Sequence, residues 1–161
     1  MNIIYRNWGG IVFIISIIAI VIALIAEYFY NLLPCKMCLY QRYPYYFIII
    51  IYPIFLLLKK RNNIWLLILF ELSIIYGLFY SIWHVGIEKK FFKGPEGCSN
   101  SIEKLSSVEK LKEQIISQPI VDCGIITWQI FSFSAATINL IQLLFIVFFN
   151  TIFIIRNYYE K

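Results

Sequence analysis

Long runs of apolar residues, separated by short polar segments, dominate the chain. A helix needs about 20 apolar residues to cross the roughly 30 Å hydrocarbon layer of a bilayer. Four runs reach this length and predict transmembrane helices over about residues 10–30, 39–58, 64–83 and 129–155. We therefore expect an all-α membrane protein, a four-transmembrane-helix bundle that forms a single integral membrane domain over residues 1–161.

The first two runs each need an additional argument. The first is longer than the h-region of a secretory signal peptide, and no small-residue cleavage site follows it, so it predicts a helix that is retained. The second spans the bilayer only if it begins near Cys38. Gln41 and Arg42 then lie at its outer end, where long side chains reach the headgroups.

Composition agrees with a membrane protein and excludes a soluble domain. The 161 residues are 61% hydrophobic and 14% charged, against about 45–50% and about 25% in soluble domains. The net charge of +5 lies at the two termini and in the turn between the second and third runs, whereas residues 84–127 sum to zero. This distribution argues against nucleic-acid binding. By the positive-inside rule it predicts that both termini are cytoplasmic, with outer loops over about residues 31–38 and 84–128.

The long outer loop has a helical pattern of its own. Apolar residues recur at helical spacing, namely Ile102, Leu105, Val108, Leu111 and Ile115. Asn100 and Glu103 resemble a capping box at the start of this pattern. We expect an amphipathic helix over about residues 101–117, which either lies on the membrane surface or packs on the ends of the spans.

All four cysteines fall in the outer segments, where thiols are not held reduced. Three interpretations compete: two structural disulfides, a metal site, and a two-disulfide electron relay. Cys98 and Cys123 suit a structural disulfide. Cys35 and Cys38 close too small a loop to constrain much chain, and their spacing is that of redox-active dithiols. A metal site is disfavoured because the chain has one CxxC pair and its other two cysteines are 25 residues apart.

The residues around Cys38 favour the relay. Cys38 follows Pro34 closely and begins the second run, where unpaired backbone amides and the helix dipole stabilise a thiolate. Arg42 lies four residues further on and projects from the same helix face. Its guanidinium could hold both a thiolate and a reduced, anionic electron acceptor. The alternative is that Arg42 only anchors the helix at the interface.

Three further ionisable residues are candidates of lower rank. His84, the one histidine of the chain, lies where the third run meets the long loop. It is either a polar cap or a hydrogen-bond donor to an acceptor between the spans. Glu27 and Glu71 are intramembrane acids, which indicate function by default, although pairing with Arg42 or with water would also explain them.

Three motifs resemble the bacterial DsbB family of disulfide bond formation proteins. The first is residues 34–42 (PCKMCLYQR), directly after the first span. The second is residues 84–88 (HVGIE), followed by Gly94, Pro95 and Cys98. The third is residues 119–123 (PIVDC), followed by Trp128, Phe131, residues 134–136 (SAA) and Asn139. Gly124 and Ser132 depart from the family pattern, which often has an acid and a glycine there.

This resemblance implies a quinone-linked thiol oxidase of the bacterial inner membrane, with its active cysteines facing the periplasm. A reduced thioredoxin-like periplasmic protein of the DsbA type would attack the long-loop disulfide, and Cys98 would form the mixed disulfide. Cys123 would exchange with Cys35, and Cys38 would be the thiolate that meets the quinone, either ubiquinone or menaquinone. Arg42 would polarise the quinone, with His84 as a second contact.

The energetics of such a relay require an oxidant stronger than most cysteine pairs. DsbA has an established reduction potential of about −120 mV, and each 30 mV of shortfall costs about 1.4 kcal/mol. A quinone dissolved in the bilayer can meet this requirement. Two alternatives remain: a vitamin K epoxide reductase-like enzyme, in which the CxxC comes late in the chain, and a structural four-span protein with two loop-stapling disulfides.

Overall fold

Four helices make up most of the part of the chain that the computed structural model describes, which is residues 3–59, 63–95, 98, 121–130 and 132–159. The helices are α1 (Ile3–Tyr28), α2 (Lys36–Leu57), α3 (Ile64–Glu88) and α4 (Ala135–Tyr159). Two short antiparallel strands, β1 (Gln129–Ile130) and β2 (Phe133–Ser134), form a hairpin directly before α4. The predicted loop helix over residues 101–117 lies outside the described residues.

Three of these helices are long and apolar enough to cross a membrane, over Asn7–Tyr28, Ile64–Glu88 and Ala135–Asn157. The chain is therefore a membrane protein. Helix α2 is not among the three, because tyrosines, two prolines, Gln41 and Arg42 interrupt its apolar run. That α2 also spans the bilayer, and that both termini are cytoplasmic, stay predictions.

The helices pack so that α2 contacts both α1 and α3, and α3 also contacts α4. The buried core draws on all four helices; it includes Trp8, Val12, Tyr45, Ile48, Leu66, Phe70, Ile74, Leu143 and Ile146. At the contact of α2 with α3, a Cβ on Gly77 would come within 2.7 Å of Pro44 Cγ. Outward faces carry exposed apolar side chains such as Ile50 and Phe148, as expected of surfaces that meet lipid.

A hydrogen-bonded cluster ties α1, α3 and α4 together at the end where α1 begins. Asn150 is fully buried; its amide donates to Leu67 O at 2.9 Å and to Glu71 Oε2 at 2.7 Å, and its Oδ1 accepts from Trp8 Nε1 at 3.0 Å. Thr151 donates to the other Glu71 oxygen at 2.5 Å. The intramembrane acid Glu71 is therefore partnered, and these contacts give it a role in helix packing.

The third helix is longer than the apolar run predicts. It continues past residue 83 to Glu88, so residues 84–88, which the pattern assigned to the outer loop, are helical. Nothing breaks the helix before Lys90, which has a φ of 62°. At this turn the backbone N–H of Phe91 donates a hydrogen bond to Gly86 O at 2.8 Å. His84 consequently lies within α3 and not at its junction with the loop.

The fourth helix begins later than predicted. Residues 129–130 and 133–134 pair in the hairpin, and α4 starts at Ala135 instead of residue 129. Ser134 ends the hairpin and accepts a hydrogen bond from Thr137 N–H at 3.2 Å through its Oγ. Such a side-chain acceptor satisfies one of the free amides at a helix start, which explains why the apolar run becomes helical at this point.

Candidate active site

The CxxC pair lies at the start of α2, and its geometry follows from helix capping. Cys35 is the N-cap residue of α2, and its Sγ accepts a hydrogen bond from Cys38 N–H at 3.3 Å. The two sulfur atoms are 2.9 Å apart. The sequence predicts that the free amides at this helix start stabilise a thiolate at Cys38. In the structure the N–H of Cys38 points at Cys35 Sγ instead, so the thiolate at Cys38 stays a prediction.

His84 approaches the same sulfur from α3. Its Nε2 is 3.5 Å from Cys35 Sγ, and its ring is 4% exposed. The sequence predicts a hydrogen-bond donor to an acceptor between the spans, whereas the described contact is with the CxxC pair. The extra helical residues at the end of α3 carry His84 into this position, since they keep its ring on the face that packs against α2.

These contacts change the acidity of Cys35. The pKa of its thiol is lowered from 9.0 to about 4, first by the hydrogen bond with Cys38 and further by the hydrogen bond with His84. Burial of Cys35 opposes this shift. A lowered thiol pKa stabilises the reduced form of a dithiol and makes its disulfide a stronger oxidant. These contacts favour Cys35 over Cys38 as the thiolate of the reduced pair.

A disulfide joins Cys98 to Cys123 and lies in the same apolar cluster as this pair. Both cysteines are buried, with 0% and 1% exposure, and Cys123 N–H donates to Cys98 O at 2.8 Å. They share one apolar cluster with Cys35, Met37 and Ile87. The long-loop disulfide and the CxxC pair are thus neighbours, although Cys35 and Cys98 are far apart in sequence.

Arg42 extends from α2 towards α1. Its Nη1 donates to Glu27 Oε2 at 2.6 Å, and its Nη2 donates to Ala23 O at 3.5 Å. The Arg42 side chain is 12% exposed and that of Glu27 21%. The sequence allows Glu27 to pair with Arg42 or with water, and the structure shows the ion pair with Arg42.

An apolar cleft of about 170 Å³ opens between α1, α2 and α4. Most of its walls are alanine, isoleucine and leucine side chains, and Cys38 and Arg42 lie together on one wall. The remaining polar side chains that line it are Gln41, Tyr45, Thr127, Asn139 and Gln142. A cleft with apolar walls and a few polar groups suits a flat apolar ring with polar substituents, which is the chemistry of a quinone.

A second, smaller cavity of about 30 Å³ lies on the other side of Cys38. It is lined by Cys35, Cys38, His84 and Glu88, and Glu88 accepts a hydrogen bond from Ser134 Oγ at 2.5 Å. Both cavities share one wall, made of Thr127, Trp128, Ala135 and Ala136. Cys38 therefore lies between an apolar cleft and a small polar cavity.

The polar side chains of the cleft form a network that the sequence did not reveal. Asn139 donates to Gln41 Oε1 at 3.3 Å and to Ser81 Oγ at 2.8 Å, and it accepts from Tyr45 OH at 2.5 Å. Gln142 donates to Tyr45 OH at 3.2 Å. The signal that could have located these residues is the presence of amide side chains inside apolar spans, since such groups find partners within the protein.

Comparison with known proteins supports a redox assignment. A family model described as disulfide bond formation protein DsbB matches residues 5–153. The uncharacterized protein RP370 of Rickettsia prowazekii (strain Madrid E) is 31% identical over 139 residues, which cover 85% of this chain and 80% of that protein. No solved structure matches this chain.

Proposed function

The chain belongs to the DsbB family of disulfide bond formation proteins, and from this premise we propose that it reoxidises a DsbA-type periplasmic dithiol protein and transfers the electrons to a membrane quinone. The observation that carries the proposal is the position of Cys38. It is hydrogen-bonded to Cys35 next to the Cys98–Cys123 disulfide, and it also lines the apolar cleft. One sulfur atom thus connects the thiol chemistry with a binding site open to a lipid-soluble acceptor.

The first half of the reaction is thiol–disulfide exchange. A partner thiolate attacks Cys98, the disulfide to Cys123 breaks, and Cys123 takes the electron pair as a thiolate. Cys123 then attacks Cys35 of an oxidised CxxC pair, which releases Cys38 as a thiolate. The second partner thiol attacks the mixed disulfide at Cys98, so that the partner leaves oxidised. The burial of Cys35, Cys98 and Cys123 in one cluster supports this order.

Exchange between the two pairs is completed within the chain. Cys98 attacks Cys123 of the Cys35–Cys123 disulfide, which restores the long-loop disulfide and releases Cys35 as a thiolate. The Cys35–Cys38 pair then holds both electrons. The low pKa of Cys35 favours its release, because a thiol of lower pKa is the better leaving group.

The second half of the reaction moves two electrons out of the CxxC pair. A quinone in the cleft would accept two electrons and two protons to become a quinol, while Cys35 and Cys38 form a disulfide. Arg42 lines the cleft with Cys38 and would stabilise negative charge on the acceptor; Glu27 holds the guanidinium in place. His84 would contact Cys35, the other sulfur of the pair. The cleft suits ubiquinone and menaquinone alike.

This function requires a defined orientation in the membrane. We place the protein in the bacterial inner membrane, with both termini in the cytoplasm and the four cysteines at the periplasmic side, where DsbA-type proteins act. The positive charge at the termini supports this orientation. All four helices would then form the transmembrane bundle, surrounded by lipid, and the protein would have no contact with nucleic acid.

The test is quinone reduction by the purified protein in detergent, followed by absorbance after addition of a reduced DsbA-type protein. We expect turnover by the wild type and none by Cys38→Ser. The matched control is Ser73→Ala on α3, which removes a hydroxyl that donates to Pro44 O and should keep turnover. Absence of turnover with both ubiquinone and menaquinone, together with cysteines that never exchange with an added dithiol, would overturn the proposal.

A further inference from the structure

The ring of His84 has a defined partner at each nitrogen. Nε2 faces Cys35 Sγ at 3.5 Å, and Nδ1 faces Gln41 Nε2 at 3.0 Å. In a neutral imidazole one nitrogen carries the proton and the other accepts a hydrogen bond. The chemistry that His84 offers to Cys35 therefore depends on which atom Gln41 presents to Nδ1.

The orientation of the Gln41 amide follows from its other neighbours. The same Gln41 nitrogen lies 3.4 Å from Tyr80 O, a backbone carbonyl that can only accept. Gln41 Oε1 in turn accepts from Asn139 Nδ2 at 3.3 Å. Both contacts require the NH2 group of Gln41 to point towards His84. Nδ1 must then accept, and the ring proton is on Nε2.

Asn139 is itself held in a single orientation. Its Oδ1 accepts from Tyr45 OH, while its Nδ2 also donates to Ser81 Oγ at 2.8 Å. Ser81 cannot donate back, because its hydroxyl donates to Gly77 O at 2.8 Å. The direction of the hydrogen bonds is thus set at Ser81 and Tyr80 and is passed through Asn139 and Gln41 to His84.

We propose that Gln41 and Asn139 are positioning residues that hold His84 with its proton on Nε2, directed at the Cys35 sulfur. In this state His84 donates a hydrogen bond to the Cys35 thiolate, both in the reduced pair and when Cys35 leaves the Cys35–Cys123 disulfide. This role rests on the proposed exchange reaction, although the tautomer itself does not.

The same arrangement decides against a metal at this site. Sγ of Cys35, Sγ of Cys38 and a ring nitrogen of His84 lie within 4.8 Å of one another, a spacing that would suit three ligands of one ion. A metal at Nε2 needs the lone pair of that nitrogen. With Gln41 donating to Nδ1, the lone pair is at Nδ1 and Nε2 presents a proton, so the described contacts fit a thiolate and not an ion.

The charged and titratable groups that face Cys35 are few among the described residues. They are Cys38 on α2, and His84 and Glu88 on α3, with Arg42 acting through Cys38. Only the contact from His84 depends on Asn139. Replacement of Asn139 should therefore change the pKa of Cys35, while the charged groups and the cysteines of the site all remain in place.

The primary experiment measures the tautomer in the wild-type protein. The chain has one histidine, so nitrogen-15 histidine labelling yields the ring signals of His84 without further assignment. In the reduced protein in detergent at pH 8 we expect a protonated Nε2 and an unprotonated Nδ1. The opposite pattern, or rapid averaging between the two tautomers, would overturn the inference, whether or not the protein oxidises a partner.

The second experiment compares Asn139→Leu with Asn150→Leu on the same helix. Both replace a hydrogen-bonded amide of α4 with an apolar side chain, but only Asn139 reaches Gln41. In Asn139→Leu we expect the His84 ring to populate both tautomers. The pH midpoint for alkylation of Cys35 should be about one pH unit higher than in the wild type. Peptide mass spectrometry identifies Cys35 as the alkylated residue. Asn150→Leu should match the wild type. Asn139→Gln, which can still donate a hydrogen bond to Gln41, should bring the midpoint part of the way back to the wild-type value.

An unchanged tautomer and midpoint in Asn139→Leu would also contradict the inference. If the labelling and alkylation results are as expected but no quinone is reduced by any form of the protein, the proposed function fails and the positioning of His84 stands. The wild-type measurement keeps the inference falsifiable even if the leucine variants do not fold.

Discussion

Arg42 on α2 and Glu27 on α1 form an ion pair of 2.6 Å at the apolar cleft that Cys38 also lines. The pair joins two helices and fixes a guanidinium at the wall of the cleft. Because Glu27 offsets the charge of Arg42 without covering it, Arg42 can still interact with a bound acceptor. Both the presence and the position of this charge should matter for quinone binding.

We expect Glu27→Gln to raise the apparent KM for quinone about tenfold, equivalent to about 1.4 kcal/mol, because the guanidinium loses its fixed orientation. The matched control is Glu71→Gln, the same substitution at an intramembrane acid that contacts Asn150 and Thr151. Glu71→Gln should lower the melting temperature and leave KM unchanged. Steady-state quinone reduction at saturating partner concentration gives the KM of both variants, and thermal unfolding in detergent gives their melting temperatures.

An equal rise of KM in the two variants would mean that the effect reflects general loosening of the helices. Arg42→Met provides the second check, since it removes the guanidinium and keeps an apolar side chain of similar length. We expect Arg42→Met to raise KM more than Glu27→Gln does.

The order of disulfide exchange predicts which cysteine traps the partner. In Cys123→Ser the long-loop disulfide is absent, so the complex must be formed from a resolving-cysteine variant of the partner that carries a thionitrobenzoate leaving group on its remaining sulfur. Cys98 attacks that sulfur and thionitrobenzoate leaves. The mixed disulfide at Cys98 then has no neighbouring thiol to displace it from the Cys123 side, so it should accumulate. The control is Cys98→Ser, which should form no such complex. Non-reducing electrophoresis detects it. Accumulation in Cys98→Ser and not in Cys123→Ser would reverse the proposed order.

The low pKa of Cys35 predicts a specific pH dependence. Alkylation of Cys35 in the reduced protein should remain fast as the pH falls from 9 and should decline only near about 4. Since its pKa is depressed in the folded state, the contribution of Cys35 to stability is complete above pH 9 and is lost as the pH falls towards 4.

His84→Ala should raise the midpoint of this alkylation curve only partly, because the hydrogen bond with Cys38 is the larger cause of the shift. Mass spectrometry of the modified peptide separates Cys35 from Cys38. A wild-type midpoint near the ordinary value of 9.0 would contradict the assignment of Cys35 as the thiolate.

Two serines near the start of α4 should respond to glycine in opposite directions. Ser132 has a φ of 68°, and glycine adopts this conformation without the penalty that other residues incur. Ser132→Gly should stabilise the protein by about 0.5–1 kcal/mol. Ser134→Gly should destabilise it by about 1–2 kcal/mol, because Ser134 bonds both Glu88 and Thr137 N–H.

Thermal unfolding in detergent, followed by circular dichroism, compares the two variants with the wild type. A loss of stability in Ser132→Gly would show that the Ser132 side chain makes a contact worth more than the backbone strain. The loss in Ser134→Gly should be smaller in a Glu88→Gln background, since part of it depends on that carboxylate.

The sequence predicted the helical membrane protein and its family, because apolar run length and the CxxC motif are local properties. It misjudged the ends of α3 and α4, since apolar runs do not report where capping occurs: Lys90 ends α3 through a positive φ, and Ser134 starts α4 through its hydroxyl. Ser132 was noted where relatives often have glycine, and its positive φ supplies the physical reason.

The sequence could not reveal the network around His84. Asn139 and Gln41 are 98 residues apart, and their hydrogen bond depends on how α4 lies against α2. The sequence also could not show which sulfur of the CxxC pair the start of α2 favours. Proximity to a helix start suggested Cys38, but the direction of its N–H, which points at Cys35 Sγ, is set by the fold of the turn after Pro34.

Gln41 and Arg42 are adjacent in α2 yet turn towards different neighbours, His84 on α3 and Glu27 on α1. Successive helix residues are about 100° apart, so the number of residues from Cys38 onwards decides which partner each side chain meets. Inserting or deleting one residue between Cys38 and Gln41 would rotate both side chains away from their partners at once. This stretch should therefore tolerate changes of residue type far better than any change of length.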